Sequence, residues 1–255
     1  MYDPSSPLLR PVVSEDGVAN PEAKARFAED RLLDAVIWCE LRPGEVVTES
    51  DVMERFGLTK AAARSGLARL GYDGWAMPQP RTGWRILSVS GALIGDVIGA
   101  RHVAEPALAT LNLDAAAKEE LTQIAPVLTA MEGRTEAGAV RSVDHYLNRV
   151  DGIMLEHCNP FTARHLRKLW HHTSRIVHYF ESAGTEPSFR RQDGPALIQA
   201  LCADDQDAVI DARKALIDAL EAFFLKRLLR DQTPLSRPGA QQQKTKPTSL
   251  NRTNQ

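Results

Sequence analysis

The chain has 255 residues, of which 43% are hydrophobic and 25% charged, and its formal net charge is −2. This size and balance suit two ordinary soluble globular domains. No uninterrupted apolar run of about 18 residues and no secretory signal pattern occurs, so we expect a cytoplasmic protein without a membrane span. The three cysteines are far apart, which favours reduced thiols over a disulfide framework.

The two ends of the chain lack helical or strand patterning. Residues 1–24 are rich in proline, serine and charge, and we predict a mobile arm. Residues 232–255 contain few large apolar side chains, and we predict a disordered tail. A helix follows the arm and is stopped by Pro43 and Gly44. Its apolar residues at helical spacing are Phe27, Leu33, Val36, Ile37 and Leu41.

Residues 25–88 have the order of elements of a winged helix-turn-helix. Thr48 is placed to cap a short helix that ends at Gly57. A second capped helix is predicted over 60–71. Two short apolar runs follow, separated by a turn that contains Gly83, and they predict a small hairpin. Helix, turn, helix and hairpin in this order define the motif.

The rest of the ordered chain, residues 91–231, has a helical pattern without β alternation or internal repeats. About six helices are predicted, near 91–111, 114–132, 137–157, 160–182, 188–203 and 205–230. The predicted fold is therefore mainly α, with an N-terminal winged helix-turn-helix and a C-terminal all-α bundle.

Positive charge is concentrated in the helix-turn-helix. Between Arg55 and Leu87, six basic residues face one acid, Asp73, inside a slightly acidic chain. Such asymmetry is typical of a surface that contacts the DNA backbone, although a solvated helix face would look similar. We predict DNA contacts at the outward face of helix 60–71, at its N-terminus and at the wing. The candidates are Ser50, Thr59, Lys60, Arg64, Ser65, Arg81, Thr82 and Gly83.

The segment LRPGEVVTESDVMERFGLTKAAARSGLARLGYDGWAMPQPRTGWRI resembles the DNA-binding domain of the GntR family of bacterial regulators. LIGDVIGARHVAEPAL and HCNPF are similar to segments of the all-helical ligand-binding (FCD) domain of its FadR-like subgroup. The resemblance covers residues 27–230 and implies a dimeric, effector-responsive transcription regulator. Family members usually have Arg-Glu-Ala where this chain has Arg64-Ser65-Gly66, which we interpret as tuning of the recognition helix.

Arg101 lies within the buried stripe of helix 91–111, and a buried guanidinium needs an anion. Its partner is either an internal carboxylate or, as the resemblance implies, the carboxylate of a small anionic effector. The candidate effector-binding residues are Arg101, Glu105, Asp144, Asn148 and Asp151.

Many FadR-like relatives bind a divalent metal through one Asp and three His residues. Asp144 is followed by Asn148 where a His is usual, and Gly194 and a position near Leu216 stand where the later two are found. We therefore predict no metal and no other cofactor. Histidines of helix 160–182 are interpreted as surface or interface residues, since His171 and His178 point away from its predicted buried stripe.

Three alternatives remain at this stage. An enzyme is disfavoured because no phosphate loop, nucleophile elbow or zinc-protease helix occurs. A metal-dependent regulator and a ligand-independent DNA binder are the others.

One recognition helix reads too few base pairs to find a genomic site, so we expect a homodimer on a palindromic operator.

Overall fold

The computed structural model describes residues 21–183 and 188–230. In chain order the elements are α1 (Pro21–Ile37), β1 (Val46–Val47), α2 (Glu49–Phe56), α3 (Lys60–Tyr72), β2 (Ala76–Gln79), β3 (Gly83–Ile86), α4 (Gly91–Ala104), a 3-10 helix (Glu105–Thr110), α5 (Ala115–Ala130), α6 (Ala137–Glu156), α7 (Pro160–Ala183), α8 (Gly194–Cys202) and α9 (Gln206–Arg230). The predicted mainly α fold, with a winged helix-turn-helix followed by a helical bundle, is confirmed.

The helix-turn-helix is set by caps that the sequence predicts. Thr48 and Asp51 form a reciprocal capping box at the start of α2, with bonds of 3.1 and 2.8 Å. Gly57 ends α2 in the left-handed region at φ 63°. Thr59 then caps α3 by accepting a hydrogen bond from the Ala62 amide. The short connection between two capped ends fixes the direction in which α3 leaves the turn.

A three-stranded antiparallel sheet forms the wing, in the order β1-β3-β2. The predicted hairpin is present, with Ala76 opposite Ile86. On the other edge of β3, Val46 lies opposite Arg85. Strand β1 was not predicted, because two residues are too few to show an alternating pattern.

Helix α1 packs closely against α3. A Cβ atom added at Gly66 would lie only 2.6 Å from Leu32 Cδ1. Gly66 therefore permits the two helices to approach, which gives the departure from Arg-Glu-Ala a physical reason. Helix α1 begins at Pro21, so the last part of the predicted arm is helical, and residues 1–20 lie outside the described residues.

The helical domain, α4 to α9, has two apolar cores. Helices α5, α6 and α8 contribute Leu121, Leu147 and Leu197, respectively, to one of them. Helices α4, α7 and α9 form the other, which contains Phe180 and Phe224. Along α9, Val209 belongs to the first core and Leu216 to the second, and the buried Arg213 lies between them in the chain.

Two predicted helices are shorter than expected. Helix α4 ends at Ala104 because Pro106 cannot donate its part of an α-helical ladder, and a 3-10 helix follows. Helix α8 begins at Gly194, later than the predicted residue 188, and has a proline in its first turn. The predicted tail over 232–255 lies outside the described residues. No described helix is both long and apolar enough to cross a membrane.

Candidate nucleic-acid interface and effector cavity

The outward face of α3 presents exposed cations. Lys60 begins the helix and Arg64 lies one turn later, and both are exposed. Ala63 and Leu67, on the other side, are buried in the core of the domain. Thr59 is exposed, and its hydroxyl can still donate to a phosphate oxygen while it accepts the capping bond. These side chains stand where a recognition helix meets the major groove.

Arg64 is held by Glu49, the first residue of α2. Its Nε and Nη2 atoms donate to the two carboxylate oxygens at 2.9 and 3.2 Å. This pairing lowers the pKa of Glu49, and 66% of the Arg64 side chain stays exposed. A DNA contact by Arg64 must therefore replace Glu49. The sequence analysis missed this pair, because Glu49 and Arg64 meet only after the turn is folded.

Ser65, another predicted DNA contact, has a partner within the domain. Its hydroxyl donates to Glu29 on α1 at 2.9 Å in a half-buried position. Ser65 thus helps to join α3 to α1 and does not belong to the free face. Ser50 is exposed in the first turn of α2, as a phosphate-binding residue would be.

The wing tip is formed by the turn between β2 and β3. Arg81 is exposed and adopts a left-handed conformation with φ 67°, and the exposed Thr82 donates its amide to Gln79 O at 3.1 Å. Gly83 has φ 117°, and a Cβ atom there would collide with the carbonyl oxygen of Val47. Gly83 therefore allows the wing to lie close against β1, and its contact with DNA stays a prediction.

Only part of the positive charge in this region is neutralised within the domain. Three of the six basic residues are ion-paired, as Arg55–Glu45, Arg64–Glu49 and Arg69–Asp73. Among the described residues, no ion pair involves the other three, Lys60, Arg81 and Arg85. The cations left over lie on α3 and the wing, as a DNA-backbone contact requires.

Charge inside the helical domain is organised differently. Six charged side chains form a connected network, here called the charge network: Arg101, Glu105, Asp151, Arg191, Asp193 and Arg213. Three arginines and three acids give it a formal charge of zero. Each buried charge in it has a partner of opposite sign, which burial demands.

Glu105 is the centre of the charge network. Arg101 Nε donates to one carboxylate oxygen, and Arg213 Nε donates to the other at 2.7 Å. Trp170 Nε1 also donates to this carboxylate at 3.0 Å, and Thr173 accepts from Arg101 at 3.2 Å. Burial opposes ionisation of Glu105, but the two guanidiniums outweigh it and hold its pKa below the usual range. The anion that Arg101 needs is thus the internal carboxylate of Glu105.

At the other end of the charge network, Arg191 binds two carboxylates. It bonds Asp151 at 2.5 and 3.1 Å and Asp193 at 3.1 and 3.0 Å. Arg213 approaches Asp151 at 3.4 Å and Asp193 at 3.5 Å, which joins the two halves. Sequence analysis missed Arg191, Asp193 and Arg213, because residues 188–193 were read as the start of a helix and their partners are distant in the chain.

A cavity of about 240 Å³ lies beside Arg191, between α5, α6 and the start of α8. Its walls include Leu128, Val143 and Leu147, with Asp144 and Arg190 as polar members. Desolvation raises the pKa of Asp144, although Arg190 opposes that shift. Arg190 is exposed and forms no hydrogen bond or ion pair within the described residues. It is a cation in the cavity wall that is not already held by a carboxylate.

The predicted effector residues fall into three places. Arg101, Glu105 and Asp151 belong to the charge network, and Asp144 lines the cavity. Asn148 is exposed and lies outside the cavity lining, so it is not placed to orient a ligand there.

Gly194 lines the cavity but does not leave room for a bulkier ligand. A Cβ atom there would lie 2.7 Å from Leu128 Cδ1 and 2.8 Å from Leu147 Cδ2. These two leucines fill the space beside Gly194.

One group within residues 21–183 and 188–230 has the spacing of metal ligands. It consists of His102 on α4 with Asp218 and Glu221 on α9. Asp218 is already bonded by Lys214 at 3.0 Å, and both acids are exposed. None of these residues is at a position where the resemblance places a metal ligand, and we assign no site to them.

The helix-turn-helix, the wing and the unpaired cations define the class of the protein: a winged helix-turn-helix protein joined to an all-helical domain. Known proteins share this arrangement. No family model matches the sequence. The chain is 26% identical over 139 residues to the HTH-type transcriptional regulator YdhC of Bacillus subtilis, and this match covers 54% of the chain and 61% of YdhC.

Two solved structures have the same fold over most of their length. McbR/YncC of E. coli has a TM-score of 0.64 and 19% identity, and the match covers 80% of this chain and 98% of that one. A GntR transcriptional regulator from Rhodococcus sp. RHA1 has a TM-score of 0.57 and 18% identity, with the same coverage of both chains. The chain has the fold of GntR-type transcriptional regulators, and its relatives belong to this non-enzymatic class.

Proposed function

We propose that the protein is an effector-responsive transcriptional regulator that binds a palindromic operator as a homodimer. The observation that carries the proposal is the cationic surface of α3 and the wing, where Lys60 and Arg81 are exposed and without ion pairs among the described residues. The likeness to known regulators supports it.

Each side chain of this surface has a distinct role in the proposal. Arg64 exchanges Glu49 for a guanine edge or a phosphate, because its planar fork matches either partner. Lys60 and the hydroxyl of Thr59 bind the phosphate backbone beside the N-terminus of α3. Arg81 enters the minor groove from the wing tip. Together they give one half-site, and a second copy of the chain supplies the other.

The dimer is supported by apolar side chains that the helical domain leaves in solvent. Val103 on α4 is 83% exposed, and Leu225 and Leu229 on α9 are 52% and 86% exposed. Large exposed apolar groups of this kind are typical of protein contact surfaces. Two-fold symmetry of the protein then requires a palindromic site.

The effector in this proposal is a small organic acid that occupies the cavity. A volume of about 240 Å³ suits a small metabolite, since sites for drug-sized ligands are roughly 300–1,000 Å³. Arg190 and Arg134 are exposed cations of the cavity wall, and we assign the carboxylate to Arg190. Arg101 contributes through the charge network instead of by direct contact. The presence of this cavity favours an effector-responsive regulator over a ligand-independent DNA binder.

The operator part is tested by selecting DNA from a random pool with the full chain. We expect an inverted repeat that binds two chains, with light scattering showing a dimer in free solution. A non-repeated sequence bound by a monomer of about 28 kDa would overturn this part.

The effector part is tested by thermal shift against a panel of small organic acids. An acid that stabilises the protein should also change its operator affinity, and Arg190→Gln should remove both effects. Arg164→Gln, exposed and outside the cavity lining, is the matched control. An acid that acts equally on both variants binds somewhere else.

We further propose that the regulator works without a metal. Elemental analysis of protein purified without chelators is expected to show substoichiometric zinc, nickel and manganese. One firmly held metal ion per chain would favour the metal-dependent alternative.

A further inference from the structure

Helix α7 is buried on two sides, because the winged-helix domain packs on the side opposite the bundle. The His178 ring stacks on Trp38 with a centroid separation of 4.0 Å, and its Nδ1 bonds Ile37 O at 2.9 Å. His172 stacks on Trp75, again at 4.0 Å. Two histidines of α7 thus stack on two tryptophans of the winged-helix domain.

Arg175 lies between these stacks and is fully buried. Its Nη2 donates to the carbonyl oxygen of Leu87, at the junction between the domains. Its Nε and Nη1 have no hydrogen-bond partner among the described residues. Burial lowers the pKa of this guanidinium to about 10. A buried charge without a carboxylate opposes docking, so the two stacks must hold the domains together against it.

The same helix touches the charge network on its other side. Thr173 accepts the bond from Arg101 Nη1, and Trp170 donates to Glu105. From Glu105 the network continues through Arg213 to Arg191, which lines the cavity. Residues close together on α7 therefore contact different partners. Trp170 and Thr173 bind the charge network, whereas His172 and His178 stack on the winged-helix domain.

We infer that His172 and His178 are positioning residues that fix the winged-helix domain on α7, and that the charge network couples the cavity to this contact. An anion bound by Arg190 in the cavity lies beside Arg191 and competes with Asp151 and Asp193 for it, and the released carboxylates turn to Arg213. The bond from Arg213 to Glu105 then weakens. Glu105 also binds Arg101 on α4 and Trp170 on α7, so both helices are affected. The coupling half rests on the proposed effector function, whereas the positioning half concerns the free protein alone.

The positioning half is tested on the full chain without DNA or ligand. The double variant His172→Ala/His178→Ala should separate the domains, seen as a larger radius of gyration in small-angle X-ray scattering and as a red shift of tryptophan emission. Proteolysis at residues 87–90 should rise on the order of tenfold or more, as expected for the loss of two aromatic stacks. His172→Phe/His178→Phe keeps the stacks and should restore the compact profile.

The rescue distinguishes docking from general instability. If the Ala variant unfolds, the Phe variant still decides the matter, because it must keep the native scattering profile and protease resistance. An Ala variant that keeps both, or a Phe variant that loses them as the Ala variant does, overturns the positioning role. Arg175→Met should keep or tighten docking, since it removes an unpaired buried charge.

The coupling half is tested by a double-mutant cycle between Thr173→Val and His178→Ala. Thr173→Val removes the acceptor of Arg101 together with the bond that Thr173 Oγ1 donates to Leu169 O within α7. The exposed Ser174→Ala, next along α7, is the control. Protease sensitivity of the 87–90 junction should be non-additive by about threefold or more for the first pair and additive for the control. Additivity in both cycles overturns the coupling, while the positioning role and the effector function are judged by their own experiments.

Discussion

The DNA-facing surface and the interior of the helical domain are both rich in arginine, yet they treat its charge in opposite ways. On α3 and the wing the cations are exposed, and Arg64 has two thirds of its side chain in solvent. In the bundle, the side chains of Arg101 and Arg213 are 3% and 2% exposed and each is bound to a carboxylate. Water solvates an exposed guanidinium at little cost, whereas a buried one needs an internal anion. The same residue type therefore binds a partner in one region and fixes the fold in the other.

Glu105→Ala is expected to have the largest effect. It leaves Arg101 and Arg213 without their shared carboxylate in a buried site, and the free energy of unfolding should fall by about 3–5 kcal/mol. Urea denaturation measures the loss. The control is Glu221→Ala, at an exposed position on α9, which should change stability by no more than about 0.5 kcal/mol. Similar losses in the two variants would mean that burial does not set the role of these charges.

The corresponding change on the surface is Arg64→Ala. Stability should be unchanged, because the side chain is exposed, while affinity for a selected operator should fall at least about tenfold. Fluorescence anisotropy at fixed salt checks the affinity. Arg69→Ala is the matched control on the same helix, since Arg69 is already paired with Asp73. Equal losses at both positions would remove Arg64 from specific recognition.

A third prediction concerns the boundary between the two regions. Burial, together with Arg175 and Lys168, lowers the pKa of His172 to about 3. The pKa of an unfolded histidine is about 6.5, so between these two values the unfolded state binds more protons and stability falls as pH falls. His172→Phe keeps the stack on Trp75 and should show a smaller loss of stability between pH 7 and 4.5 in urea titrations. Parallel pH profiles of the two proteins would contradict this.

The smallest expected effect is that of Glu49→Gln. It releases Arg64 from the pair that DNA must otherwise displace, so operator affinity should rise by about two- to fivefold. The gain should shrink at high salt, where the exposed pair is screened already. Glu45→Gln, which frees Arg55 instead, should leave affinity closer to that of the wild type. A lower affinity for Glu49→Gln would show that Glu49 aligns Arg64 for DNA and does not compete with it.

Local patterns in the sequence determined the winged helix-turn-helix almost completely. Caps at Thr48 and Thr59, the left-handed Gly57 and the order of elements each depend on residues a few positions apart. Exposed site residues such as Lys60 and Arg81 follow from the same periodicity, because an exposed side chain needs no particular tertiary neighbour. Strand β1 and the turn of Ser65 toward Glu29 were missed, since both depend on contacts between distant segments.

Tertiary structure decided how the helical domain uses its charges. The sequence placed Arg101 inside and required an anion for it, but left several carboxylates open, and only packing selected Glu105. It showed one apolar stripe on α7, while His172 and Arg175 are buried on another side against a second domain. Helical periodicity reports which side of a helix is apolar, but a polar side can also be buried when its partners come from elsewhere in the chain. The difference lies in the distance along the chain between the interacting residues. Helix caps and apolar stripes depend on residues a few positions apart, whereas the ion pairs of Arg213 join residues 62 and 108 positions apart and form only when the chain has folded.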